Sequence, residues 1–245
     1  MKKLFGIVLL CSMIGQIGAT ADLNTLGLTY KTDKASNWHN YTEVYEKYFE
    51  KMRHDPIKFL EIGLAYGCSA RMWEQYFTRA ELHFMDNLKN FVDEFNSTMP
   101  GRSHCHLVDQ SNEAALLKFV NTVGGEFDII LDDGGHTMVQ QITSFKTLFP
   151  FVKKGGLYVI EDLGTSFLSE WGGYGSKPNP KSGPGTTVTF LQQLVEDINS
   201  FTVLPCGLPF FCADYKRYTA VQLNYFQQHI AAIHCYNCMV IIEKR

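Results

Sequence analysis

Phe127-Asp128-Ile129-Ile130-Leu131-Asp132-Asp133-Gly134-Gly135-His136 and, after an amphipathic run, Gly155-Gly156-Leu157-Tyr158-Val159-Ile160-Glu161-Asp162-Leu163 decide how this chain folds. Each half is an apolar strand that stops at acidic residues. Adjacent strands of a parallel α/β sheet deliver their carboxyl ends to one crevice, where ligands bind. Asp132, Asp133, Glu161, Asp162 and His136 are thereby expected to share one pocket. Carboxylates packed together repel, and a divalent cation relieves that repulsion. Oxygen donors favour a hard ion such as magnesium.

Upstream, the same alternation repeats. Strands are expected over Ile57–Ile62, Glu81–Met85 and Ser103–Val108, each followed by a helix: Ser69–Phe77, Asn90–Thr98 and Asn112–Val123. Thr42–Met52 carries apolar residues at helical spacing, and Thr137–Phe149 is a helix facing the sheet. Leu23–Asn40 reads as mixed and polar. Two last strands, Phe201–Leu204 and Ala232–Ile242, flank an aromatic, irregular segment. Strand–helix units of this length predict an α/β fold, a mostly parallel sheet with helices on both faces. Gly164–Gly185, rich in Gly, Pro and Ser around Trp171 and Tyr174, falls after the fifth strand and is expected to act as a lid.

With 245 residues, 45% of them apolar, the chain can bury a substantial core; its net charge of −3 argues against a nucleic-acid binder with a basic face. Lys2 and Lys3, the apolar run Leu4–Ile17 and Ala19-Thr20-Ala21 form a signal-peptide pattern. The expectation is a signal over residues 1–21 and a single domain over 22–245. It implies a secreted or periplasmic protein without stable membrane insertion, an uncleaved anchor being the alternative. Of the seven cysteines, Cys11 lies in that segment. The other six permit disulfides: Cys206 with Cys212, or one of that pair with Cys235 or Cys238. Unbridged core thiols are the alternative. Cys235 and Cys238 have zinc-like spacing but lack a second ligand pair. Asn40 and Asn96 open glycosylation sequons.

The first strand-to-helix turn holds Glu61, Gly63 and Gly67, whose glycines let the backbone approach a ligand closely. The spacing is not that of a dinucleotide-binding turn. Asp86 ends the second strand, placed for ribose hydroxyls; Asp109 and Gln110 follow the third, placed for a nucleobase. Capping alone does not require an acid at every strand end. His136, after a glycine pair beside the expected metal, is the candidate general base.

Glu61-Ile62-Gly63, Ser69-Ala70-Arg71-Met72-Trp73, Asp109-Gln110-Ser111, Asp132-Asp133-Gly134-Gly135-His136 and Tyr158-Val159-Ile160-Glu161-Asp162-Leu163 together resemble class I S-adenosylmethionine-dependent methyltransferases. The branch resembled is that of the metal-dependent macrolide sugar O-methyltransferases, of the mycinamicin and demethylmacrocin type. The resemblance implies a Rossmann-like fold with a mostly parallel seven-stranded sheet, and S-adenosyl-L-methionine and Mg2+ as cofactors. It implies Asp133, Glu161 and Asp162 as metal ligands and His136 as base. Glu61, Gly63, Gly67, Asp86, Asp109, Gln110 and Asp132 would then lie at the cofactor. The implied acceptor is a small-molecule hydroxyl, with glycosides among the candidates. The alternatives are a cephalosporin-hydroxylase-like oxidoreductase and a secreted binding protein without turnover. Oligomeric state is left open.

Overall fold

The computed structural model describes residues 21–99, 101–200 and 223–245. The expected signal segment therefore lies, apart from Ala21, outside the described residues. So do the strand expected over Phe201–Leu204 and both Cys206 and Cys212.

The elements alternate as the sequence predicts. Helix α1 spans Leu23–Tyr30 and α2 Tyr41–Phe49; then follow β1 (Lys58–Ile62), α3 (Cys68–Tyr76), β2 (Glu81–Asp86), α4 (Lys89–Thr98) and β3 (Ser103–Leu107). Next come α5 (Glu113–Val123), β4 (Phe127–Asp132), α6 (Met138–Leu148) and β5 (Val152–Ile160), with α7 (Thr187–Ser200), α8 (Tyr225–His229), β6 (Ile230–Tyr236) and β7 (Met239–Lys244) last. The seven strands are ordered β3-β2-β1-β4-β5-β7-β6. Pairing is parallel between β2 and β3 and between β4 and β5, and antiparallel from β5 through β7 to β6. This is a Rossmann-like sheet whose order reverses between β1 and β4, the switch point where such folds bind ligands.

The described residues fall into two compact units. One takes in the residues up to Phe59 with Leu64–Leu107; the other holds Leu60–Gly63 and Val108–Arg245. The first has an aromatic core in which Trp73 lies 5.7 Å from Tyr45, 5.3 Å from Phe59 and 5.7 Å from Phe77, centroid to centroid. The second is centred on Phe145, with Tyr158 at 5.0 Å and Phe190 and Phe226 each at 5.6 Å. Such edge and offset contacts add to the area burial of each ring.

Three local expectations are corrected. The polar stretch after Ala21 contains α1, capped by Asp22, whose carboxylate accepts from Thr25 N–H at 2.6 Å. Gly27 sits inside this helix because a Cβ there would lie 2.9 Å from the Ala35 Cβ. The long final strand is a hairpin: β6 and β7 pair antiparallel from Tyr236–Met239 outward, and Cys238 takes a φ of 62° in the turn. The fifth strand starts at Val152, and its irregular register opposite Phe127 and Ile129 accompanies Gly155, whose φ is 76°.

Beside these apolar cores, His83 Nδ1 and His106 Nε2 share a hydrogen bond of 3.2 Å, and His83 Nε2 meets Glu81 Oε1 at 2.9 Å. Burial pushes both imidazoles below the usual histidine range, His106 to about 4. A group whose folded pKa lies below its unfolded value contributes stability that is complete above the unfolded pKa, about 6.5 for histidine, and is lost as pH falls through the folded one. The melting temperature should therefore fall as pH is lowered from about 7 to about 5, before most carboxylates titrate. His106→Gln should flatten that slope. An equally steep slope in the variant would remove these imidazoles as its cause.

Candidate active site

Ile62 ends β1, and its carbonyl accepts from Asp133 N–H at 2.9 Å. The next residue, Gly63, has a φ of 92°, and a Cβ on it would lie 2.1 Å from the Asp133 carbonyl oxygen. Only glycine fits this position, both for conformation and for space. The loop after β4 is thus tied directly to the end of β1.

Asp132 is fully buried and anchors that loop from beneath. Its carboxylate accepts from Gln110 Nε2 at 3.0 Å, from the Ser144 hydroxyl and from Tyr158 Oη at 3.4 Å. Burial raises its carboxyl to about 6, with the bonds from Ser144 and Gln110 opposing the rise. Gln110 turns its Oε1 to Gly135 N–H at 2.7 Å. A Cβ on Gly134 would fall 1.8 Å from that oxygen, and one on Gly135 would strike Gln140. Thr137 and Gln140 close a capping box at the start of α6. The glycine pair is therefore enclosed by two glutamines.

This scaffold carries Asp133 and His136, while Asp162 follows β5. One ligand atom from each of the three lies within 4.8 Å of the others, the only such group among the described residues. His136 Nε2 stands 3.8 Å from Asp133 Oδ1 and 3.7 Å from Asp162 Oδ2. His136 and Asp162 both hold left-handed backbone, with φ of 55° and 56°. Non-glycine residues adopt that region at a cost, and such residues gather at functional sites. Among the described residues the His136 Nδ1 is buried without a hydrogen-bond partner, and the Trp171 ring packs against the imidazole in a T-shaped contact at 6.1 Å.

Glu161, the remaining expected metal ligand, directly precedes Asp162. Its side chain is buried, its N–H donates to the Asp132 carbonyl at 3.0 Å, and its own carbonyl accepts from Gln141 Nε2 at 2.9 Å. Glu61 is likewise buried, within β1. Asp86 accepts from Leu64 N–H at 3.1 Å, Ala65 N–H at 3.2 Å and Leu88 N–H at 2.8 Å, so it shapes the glycine turn. Gly67, with a φ of 68°, precedes α3. Asp109 accepts from the N–H and hydroxyl of Ser111.

The Gly-rich segment is folded. Leu163–Phe167 and Ser169–Trp171 are 3-10 turns, Gly173 N–H donates to the Leu168 carbonyl at 2.8 Å, and Tyr174 Oη donates to the Pro184 carbonyl at 2.7 Å. Cys238 belongs to this region: its Sγ accepts from Gly164 N–H at 3.2 Å, and its carbonyl from Leu163 N–H at 2.9 Å. Cys68, Cys105, Cys235 and Cys238 are unbridged thiols. Ser144, Tyr158 and Gln140, which position the loop, were not singled out in the sequence; only the Thr137-x-x-Gln140 pattern announces one of them.

A methyltransferase-domain family model matches residues 60–163. A rhamnosyl-tetracenomycin 3'-O-methyltransferase of Streptomyces olivaceus is 31% identical over 91% of the chain and 54% of its own length. Mycinamicin VI 2''-O-methyltransferase of Micromonospora griseorubida is 33% identical over 91% of the chain and 52% of its own length. The structure of the mycinamycin-pathway methyltransferase MycE, solved with Mg, SAH and mycinamycin VI, superposes with a TM-score of 0.75 at 30% identity. That match covers 91% of this chain and 53% of the other. Over residues 60–163 the chain matches the methyltransferase-domain family, and its sheet has the architecture of the class I S-adenosylmethionine-dependent methyltransferases. Within that class it is related to the macrolide and sugar O-methyltransferases of the mycinamicin and demethylmacrocin type. It spans about half the length of the curated relatives it matches.

The expectation of a secreted, periplasmic or membrane-anchored protein is corrected by these relatives, which are biosynthetic tailoring enzymes. Among the described residues no helix is long and apolar enough to cross a membrane. The pattern that suggested export is short and compositional, two lysines before an apolar run, and carries no information about the chemistry of the fold behind it.

Proposed function

We propose that the chain is an O-methyltransferase that moves a methyl group from S-adenosylmethionine to a hydroxyl of a sugar or glycosylated small molecule, with Mg2+ held by Asp133 and Asp162 together with Glu161. The observation that carries this is the grouping of Asp133, Asp162 and His136 at the ends of neighbouring strands β4 and β5. The donor set fits the ion: two carboxylates brought close repel until a hard cation lies between them. Glu161, buried at the end of β5 beside Asp162, remains the third proposed ligand, supported by that position.

Magnesium bound there supplies positive charge that lowers the pKa of an acceptor hydroxyl. His136 takes the hydroxyl proton at Nε2, the nitrogen that faces the two carboxylates. Trp171 packs against the imidazole in a T-shaped contact. Asp132 and Gln110 hold the loop that carries Asp133 and His136. For the methyl donor, Glu61, Gly63, Gly67, Asp86 and Asp109 remain the proposed residues, supported by their positions at or just beyond strand ends. A second reading makes His136 a third metal ligand, since its Nε2 belongs to the same group of three.

The test is transfer of labelled methyl from S-adenosylmethionine to a panel of glycosides and simple phenols, with Mg2+ and after chelation. Transfer to a glycoside hydroxyl that stops on chelation and returns with Mg2+ is expected. Transfer that persists undiminished in chelator, or that reaches only nitrogen or sulfur acceptors, would overturn the proposal.

A further inference from the structure

We propose that His83, His104 and His106 form a second metal site, one for a zinc-type transition cation, on the face of the β2–β3 pair. The three share that face by register. His83 lies directly opposite His104, and His104 and His106 are two apart on β3, so their side chains project to the same side. The His83 ring centroid is 6.0 Å from that of His104 and 5.3 Å from that of His106.

The spacing of two nitrogens is the specific observation. His83 Nδ1 and His106 Nε2 are 3.2 Å apart. Two imidazole nitrogens bound to one tetrahedral zinc, each roughly 2.0–2.1 Å from it, are themselves about 3.3–3.4 Å apart. The ion would sit off the line between the two nitrogens, so each ring would turn by roughly 35° to aim its lone pair at it, with the nitrogen spacing nearly kept. The other nitrogen of His83 meets Glu81 Oε1 at 2.9 Å. A carboxylate on the far nitrogen is how ligating histidines are oriented and kept in the required tautomer.

His104 supplies the third nitrogen. It is exposed and stands outside ligand distance of the pair, so it must turn about its side-chain torsions to join them. A fourth position is left for water, as in open three-histidine sites. Lys58 opposes the cation and Glu81 favours it. Imidazole donors select zinc, nickel or copper over magnesium, so this site and the carboxylate group would take different ions.

Full-length protein saturated with Mg2+ should be titrated with Zn2+ by calorimetry, and with Co2+ while visible spectra are recorded. Asp133→Ala is expected to retain one Zn2+ site and the intense bands of four-coordinate Co2+. His104→Ala, at an exposed position, should weaken that site at least tenfold and lose those bands. Glu81→Gln should weaken it roughly 10–100-fold, the usual effect of removing such an orienting partner. Zn2+ and Co2+ binding that vanishes in Asp133→Ala, or that is unaffected by His104→Ala, would overturn the proposal. The metal site depends on no outcome of the methyl-transfer assay.

Discussion

Asp133→Ala is expected to abolish Mg2+-dependent methyl transfer while S-adenosylmethionine still binds. Positive charge at a developing alkoxide is worth several kcal/mol, so the loss should reach about a thousandfold or more. The loop should survive the change. Its tie to β1 runs through the Asp133 backbone N–H, and the close approach at Gly63 involves the backbone carbonyl. Neither needs the carboxylate. Asp162→Asn is the matching variant on the other side, because Asn tolerates the φ of 56° that Ala would strain. Calorimetry with S-adenosylhomocysteine separates the two functions. If both variants turn over at the wild-type rate, the carboxylates do not hold the metal.

Replacing His136 should slow transfer by about 10²–10⁴, the span usual for a general base, with Mg2+ and cofactor affinities unchanged. The backbone decides which replacement is informative. At a φ of 55°, alanine would add strain to the loss of the imidazole. Asparagine enters the left-handed region more easily, so His136→Asn isolates the chemistry. Single-turnover rates and Mg2+ titration on the same variant check it. Should Mg2+ affinity fall in step with rate, His136 is a ligand and another group takes the proton.

Most of what positions this site is written in the sequence because parallel strands are uniformly apolar and end where polarity begins. That contrast located Asp133, Asp162 and His136 and predicted that they meet. It did not show how differently Glu161 and Asp162 are exposed. The two are adjacent in sequence, but Glu161 is buried at the sheet end, whereas Asp162 turns out through its left-handed backbone. Nor did it show that Asp86, proposed at the methyl donor, also shapes the glycine turn through three backbone N–H groups. The hairpin at Cys238 was hidden for a related reason. Its turn, Asn237-Cys238, has no glycine or proline, and apolar residues run on through both strands. Helix α1 has too few buried residues to show a clear stripe.

The buried network around Asp132 determines when the disorder of the loop is removed. Fixing one residue's backbone costs roughly 1–2 kcal/mol in conformational entropy. Gly134 and Gly135, the residues with most freedom to lose, are held by Gln110, Gln140 and Asp132 as the chain folds. Their ordering is therefore complete before any ion arrives. Mg2+ meets a rigid receptor, and its binding should be a single fast association without a slow rearrangement of the loop.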